Sequence, residues 1–313
     1  MPPVWWRRAS QAAVIAAPWL WFLVRDATPA MEPVAVTLPV LAAAYAAVNL
    51  GVFVVTNRRF HAAAAASTVG FAFVAILTPW LPHDGEPPAG RGVSIVVANV
   101  LGDNDETEDL AAAILGQSPD IVVAPESTRA LHEVLRVAYP HVVRKDVNHA
   151  VIGIYSRYPV DPEQRPGLLA ETRQWRIEVD GPDERFVLWA VHLSKPWFVG
   201  TRNHQMRPWG HAEKLDEFIA EWDAETLPVV VAGDTNLTDR GRGYRRVLDH
   251  GFRDALRGIG GGPTARKWYL RPLFLRVDHV FVPEDWCAAD GTRFALPGSD
   301  HRGVSVRVGA CED

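Results

Sequence analysis

The sequence predicts an α/β protein: a layered domain built on mixed sheets, preceded by an α-helical transmembrane anchor. Three observations lead there. Val34 to Val55 is 22 residues without a charge, and Phe60 to Leu81 is another 22 with only His61 as an ionisable group; a helix crosses a hydrocarbon core with about 20. From Val93 to Val308 the chain breaks into short Val- and Ile-rich runs bounded by Gly, Pro, Asp or Asn, the signature of strands. Helical stretches separate some of these runs and not others. A regular βαβ alternation is therefore excluded, and largely antiparallel or mixed sheets are expected.

Composition narrows the class. With 313 residues, 48% hydrophobic and 22% charged, the chain has the length for one large domain or two smaller ones. It buries too much apolar surface to be disordered. Two cysteines, Cys287 and Cys311, make neither a disulfide-dense scaffold nor a Cys-rich zinc site. Residues 1–90 hold five Arg, no Lys and four acids, which leaves 27 basic and 33 acidic residues beyond them, a balance of −6. That balance argues against a generic electrostatic grip on nucleic acid.

Three apolar runs open the chain. Ala9 to Val24 has 16 residues around Pro18 and is marginal as a span. The other two reach spanning length, although an Ala-rich run also suits a buried helix of a soluble protein. Further apolar runs after the first disfavour a cleaved signal peptide. Arg7–Arg8 precede the first run and Arg58–Arg59 separate the last two, whereas Asp26, Glu32, Asp84 and Glu86 occupy the alternate loops. Positive-inside bias puts both Arg pairs in the cytoplasm and everything after Leu81 outside a cell membrane. No Asp, Glu, Lys or Arg lies inside the two longer runs, which reads as an anchor rather than a transport path. The expected organisation is a multi-pass anchor over 1–81, a Pro/Gly linker over 82–92 with a reach of roughly 35 Å, and a catalytic domain over 93–309.

Within that domain, strands are expected at Val93–Ala98, Ile121–Ala124, Val151–Tyr155, Arg176–Val179, Phe186–Val191, Val229–Ala232, Val277–Val282 and Val304–Val308. Helices are expected at Glu106–Gly116, Arg129–Ala138, Arg202–Trp222 and Tyr244–His250. No internal repeat and no glycine-rich nucleotide loop is present.

Polar residues cluster at the strand ends. Asn99, Glu126, His192 and Gly233-Asp234-Thr235-Asn236 follow apolar runs; Asp278-His279 and Ser299-Asp300-His301 precede them. Any one could be an ordinary turn former. Together, on one sheet edge, two carboxylates, two imidazoles and amides could hold a metal and bind a phosphate. Here the chain resembles the endonuclease/exonuclease/phosphatase superfamily, which includes DNase I-like nucleases, inositol phosphatases and neutral sphingomyelinases. The resemblance rests on Asn99-Val-Leu-Gly-Asp-Asn104, Pro119-Asp-Ile-Val-Val-Ala-Pro-Glu126, His192-Leu-Ser, Gly233-Asp-Thr-Asn236, Val277-Asp-His279 and Ser299-Asp-His301, across roughly residues 93–308. Ala-Pro before Glu126 departs from the family's usual apolar residue and Gln.

The resemblance implies a two-layer β sandwich flanked by helices and a divalent-metal-dependent phosphoester hydrolase using Mg²⁺ or Mn²⁺. It implies Glu126 as principal metal ligand with Asn99 and Asp300 in or near the metal shell. It further implies Asp234 orienting or deprotonating water, Asn236 and His192 on the phosphoryl group, and His301 on phosphate with its tautomer set by Asp278. His279, His204 and His211 receive no role, and Asn104 is as well explained by a turn. The anchor followed by an external phosphatase-like domain also resembles the bacterial teicoplanin-resistance membrane phosphatases. That likeness implies membrane lipids as partners and a lipid-linked substrate, an isoprenoid pyrophosphate or a phospholipid. Aromatic and basic residues at Lys195–Phe198, Arg202, Gln205 and Trp209, and across Lys267–Arg276, either cover the core or meet lipid and headgroup. An extracytoplasmic nuclease and a non-catalytic binding protein are the alternatives. Cys287 and Cys311 are expected at the edge opposite the site, either bridged or as two free thiols.

Overall fold

A computed structural model describes residues 3–82, 85–144, 151–163, 174–197, 207–260, 262–267 and 270–312. The first apolar run is broken: α1 (Val4–Ala16) passes through a 3₁₀ turn containing Pro18 into the single turn of α2 (Trp21–Val24). The next two runs are long helices. α3 (Met31–Thr56) ends at Asn57, whose left-handed φ of 51° turns the chain. α4 (Arg59–Ala72) continues through a π turn and a 3₁₀ turn to Trp80. Met31–Thr56 and Arg59–Trp80 are each long and apolar enough to cross a membrane. Trp21, Ala35, Leu38, Ala42 and Phe71 pack the helices together. The Tyr45 hydroxyl donates to the Val14 carbonyl at 2.6 Å, which ties α1 to the pair.

The rest is a four-layer α/β/β/α sandwich. The first sheet runs β11-β12-β1-β2-β4-β3 and the second β5-β6-β7-β8-β10-β9. Their strands are β1 (Val93–Val97), β2 (Ile121–Pro125), β3 (His141–Arg144), β4 (Ile152–Ser156), β5 (Val160–Glu163), β6 (Gln174–Asp180), β7 (Arg185–His192), β8 (Val229–Asp234), β9 (Phe252–Asp254), β10 (Asp278–Pro283), β11 (Trp286–Ala295) and β12 (Arg302–Ala310). Each sheet has one parallel pair at its centre, β1 with β2 and β7 with β8, and antiparallel pairing elsewhere. Alternate residues divide between two sides, as the pleat demands. Ile95, Val97, Val123, Leu188, Ala190, Val230 and Val280 meet between the sheets. Val96, Val122 and Ala124 pack outward on α5 (Thr107–Leu115) and α6 (Arg129–Ala138). Val187, Trp189 and Val231 pack on α7 (Pro208–Asp223) and α8 (Arg242–Asp249).

Expectation and structure differ at the margins. The start of the Arg202–Trp222 helix, with His204, lies outside the described residues; the helix is seen from Pro208. Strands β3, β5, β9 and β11 have no counterpart in the sequence reading, and all four are sheet edges. An edge strand has one partner and often a wet face, so it need not be apolar. The segment before β1 is packed rather than free: the Ala89 amide donates to the Ala310 carbonyl at 2.8 Å and the Gly92 amide to Asp183 at 2.7 Å. Of the two states open to the cysteines, the bridged one is found. Cys287 and Cys311 form a disulfide with Cα atoms 4.9 Å apart.

Candidate active site

Because β1, β2, β7 and β8 are the central parallel strands, their carboxyl ends share one edge of the sandwich. Strands β10 and β12 are antiparallel to their neighbours β8 and β1, so their amino ends arrive at the same edge. Asn99, Glu126, His192, Asp234, Asp278 and His301 are thereby gathered, although they span two hundred positions. His192 and Asp278 both stand opposite Asp234 in the strand register.

Asn99, 1% exposed, donates its amide to Glu126 Oε1 at 3.2 Å and to Asp234 Oδ2 at 2.9 Å. Its own Oδ1 accepts from the Leu101 amide at 3.2 Å. Glu126 sits at φ 58°, a left-handed conformation that a non-glycine residue rarely adopts and that concentrates at functional sites. The Gly102 amide donates to its Oε2 at 3.3 Å. His192 Nε2 lies 3.7 Å from Glu126 and 3.6 Å from Asp234. Asn236, also left-handed at φ 51°, is fixed by its amide donating to the Leu193 carbonyl at 2.8 Å, and its backbone N–H donates to Asp234 Oδ1 at 3.0 Å. Gly233 has φ 147°, and any Cβ there would be driven into the Val191 carbonyl; only glycine lets β8 approach β7 this closely just before Asp234.

Behind this layer, Asp278 Oδ2 pairs with His301 Nδ1 at 2.8 Å, and His301 Nε2 points at Asp234 Oδ2 from 3.9 Å. Thr264, missed in the sequence, accepts from the amides of Val277 and Asp278 and sets the start of β10. Ser299 does the same for His301 and donates to the Asn99 carbonyl. Asp300 stands apart from the central cluster, 2.8 Å from Lys267 Nζ.

Charge differs among these groups for physical reasons. Burial would raise the Glu126 pKa, but His192 and the Asn99 and Gly102 hydrogen bonds outweigh it and lower it. Burial first, then repulsion from Asp278, pushes Asp234 above the ordinary carboxylate range. For His301 burial works downward, and the Asp278 and Asp234 carboxylates overcome it, to about 10. Burial would raise Asp300, and Lys267 more than reverses that.

The remaining expectations sort cleanly. His279 is structural, with Nδ1 2.9 Å from Thr235 Oγ1 and its ring on Phe281. His211 is a buried residue of α7. Asn104 braces a loop, donating to the carbonyls of Val100 and Pro297. Arg276 is buried rather than presented to a headgroup: it pairs with Asp254 and Asp239 at 1% exposure. Phe198, Arg202, Gln205, Trp268 and Tyr269 lie outside the described residues.

Hard oxygen donors converge here. Glu126 and Asp234 share the Asn99 amide, and ligand atoms of Asp234, Asp278 and His301 lie within 4.8 Å of one another. Asp278 Oδ1 is buried without a partner among the described residues. Three carboxylates, Glu126 and the buried Asp234 and Asp278, gathered at one edge suit a divalent cation of the Mg²⁺ or Mn²⁺ kind. The imidazole in the inner trio is committed to Asp278, so the half-exposed Glu126 is the better entry point.

A β sandwich bearing such a constellation on one edge defines a metal-dependent phosphoester hydrolase. The sequence profile of the Endonuclease/Exonuclease/phosphatase family matches residues 96–301, and the chain belongs to that family. No curated protein sequence matches it. Among solved structures, it is similar to an endonuclease/exonuclease/phosphatase from Beutenbergia cavernae (19% identity, 71% of this chain, 72% of that one, TM-score 0.52). It is also similar to the Neisseria 3′ phosphatase NExo bound to a product DNA hairpin (18% identity, 69% and 99% covered, TM-score 0.53). A third is D. rerio TDP2 with a single-stranded DNA product (17% identity, 71% and 100% covered, TM-score 0.55). At these identities the likeness establishes the fold.

Proposed function

We propose that this protein is a membrane-anchored hydrolase, facing outward, that cleaves a phosphoester or phosphoanhydride of a lipid-linked substrate. One observation carries the reading: the helices that can cross a membrane dock on the catalytic edge itself. Val36 of α3 packs with Ala265, Leu275 and Val277, one residue from Asp278, so a bilayer around α3 and α4 would lie close to the site. Large exposed apolar side chains support the anchor. Beyond residue 81, only Val134, Val137, Trp209 and Phe274 are of this kind among the described residues; the rest, from Val4 to Leu81, lie on the helices. A surface of that extent calls for lipid. The disulfide and the Arg7–Arg8 and Arg58–Arg59 pairs agree with an outward domain.

In this reading Glu126, with Asn99 beside it, would hold a divalent cation, which would supply charge stabilisation at the phosphoryl oxygens; Asp300, paired with Lys267 apart from the cluster, is left out of that shell. Asp234 orients the attacking water and takes its proton, a role suited to a carboxylate whose pKa is raised. Asn236 and His192 hydrogen-bond the phosphoryl group. His301, protonated at neutral pH and held by Asp278, donates to a phosphoryl oxygen as negative charge grows there. A nuclease is the second reading, since the Neisseria and D. rerio structures contain product DNA; the −6 balance of residues 91–313 weighs against it. Purified full-length protein assayed with Mg²⁺ against undecaprenyl pyrophosphate, sphingomyelin and single-stranded DNA separates them. Lipid turnover without DNA cleavage is expected; the reverse pattern rejects the lipid reading.

A further inference from the structure

Asp234 and Asn236 open a segment, 234–241, in which every residue is buried. Much of what holds it comes from the amino-terminal helices. Glu32, near the start of α3 and 4% exposed, accepts from the Gly243 amide at 2.5 Å, in the first turn of α8 where backbone N–H groups lack helical partners. Arg240 donates to the Ala35 carbonyl of α3 at 3.2 Å and to the carbonyls of Leu273 and Phe274 at 2.8 and 3.1 Å. Trp80, beyond α4, donates to Asp239 Oδ2 at 2.6 Å. Asp26 pairs with Arg245 at 2.7 Å, and Arg245 in turn donates to the Arg240 carbonyl. Gly241 has no room for a Cβ because Glu32 Oε2 occupies the space.

A tether needs none of this. Withdrawing a carboxylate and a guanidinium from water is costly unless geometry repays it, so a passive anchor would be joined by a polar, solvated hinge. Here the charged groups of one part complete the backbone hydrogen bonding of the other, at the loop that carries two site residues. We propose that the helical segment is a structural part of the active site. Glu32 and Trp80 are positioning residues that hold segment 234–241, and through it the Asp234 carboxylate and the Asn236 amide. The kinetic side of this rests on the hydrolase reading above; the structural side does not.

The test uses the full chain in detergent micelles with Mg²⁺ and a soluble phosphodiester, bis(4-nitrophenyl) phosphate, so that access to a bilayer plays no part. Glu32→Ala should lower kcat about tenfold with KM within about twofold, since misplacing a catalytic group by a fraction of an ångström is enough for that. Glu32→Gln, whose amide oxygen can accept the same N–H, should restore most of the rate. Amide hydrogen exchange over 235–243 should quicken in Glu32→Ala while β1 and β7 stay protected. Should Glu32→Ala not fold, Trp80→Phe keeps an aromatic side chain, removes the indole donor to Asp239, and should cost about threefold in kcat with the same local exchange. Wild-type kcat together with unchanged exchange in 235–243 would overturn the proposal. Quickened exchange spread evenly over the domain would overturn it too, because it marks general destabilisation. If the wild-type protein does not turn over this phosphodiester, the exchange pattern alone decides the positioning role, and the hydrolase reading is judged on the lipid substrates above.

Discussion

Asp234 and His301 stand 3.9 Å apart, and burial has opposite consequences for them. The carboxylate, crowded by Asp278, is made a better base; the imidazole, facing two carboxylates, keeps its proton up to about pH 10. Both values move upward, so the carboxylate gains basicity while the imidazolium keeps its proton, and one site supplies both a proton acceptor and a donor. Asp234→Asn should therefore lower kcat by about 10²- to 10⁴-fold, and His301→Ala by about 10²- to 10³-fold, with circular dichroism unchanged. Near-normal turnover in Asp234→Asn would remove the mechanism. Glu126→Ala should act through metal instead, raising the Mg²⁺ concentration needed for half-maximal rate, as a Mg²⁺ titration of the variant measures.

Elements decide how stability responds to conditions. His211 on α7 and His279 on β10 are held neutral, at about 4 in each case; burial is the cause for both, reinforced at His279 by Arg276. A histidine depressed in the fold binds its proton more readily when unfolded, so stability is complete above about pH 6.5 and drains away as pH falls towards 4. Each contributes up to roughly 3 kcal/mol of loss across that window. Urea midpoints measured from pH 7 to pH 4 should fall, and His211→Phe should flatten the slope; an unaltered slope would show that His211 is not the group responsible. The β11–β12 hairpin makes a separate statement. Its disulfide closes 24 residues at the edge away from the site, and Cys287→Ser should cost about 3 kcal/mol of stability while leaving kcat intact. Mass spectrometry after alkylation without reductant checks the bridge itself, and labelling of both thiols would refute it.

For the whole molecule the decisive quantity is orientation. A phosphatase reporter fused after Asp313 should be active on the outer face, and moving Arg58–Arg59 to the loop around Asp26 should reduce that activity. Cytoplasmic activity of the native fusion would overturn both the topology and the envelope substrate. The proposed orientation and the proposed site meet at α3: the helix that is long and apolar enough to cross a membrane also supplies Glu32 to Gly243 and the Ala35 carbonyl to Arg240.

The sequence by itself determined the central strands, the two long apolar helices and the strand-end polar residues, since each is written in a local pattern: periodicity, an unbroken apolar run, an acid or amide beside a Val-rich stretch. It did not disclose the edge strands. β11 contains Asp290, Gly291, Thr292 and Arg293 and pairs only through β12, and a strand with one neighbour and a wet face needs no apolar signature. Nor did it show that Thr264 and Ser299 set the starts of β10 and β12, that Arg276 is buried against Asp254, or that Glu32 reaches Gly243 across 211 positions. Those contacts depend on which backbone groups two distant segments leave unsatisfied when they meet. Only the tertiary structure creates that pairing, because a buried N–H or carboxylate takes whatever partner the fold brings within reach, and no spacing along the chain encodes it.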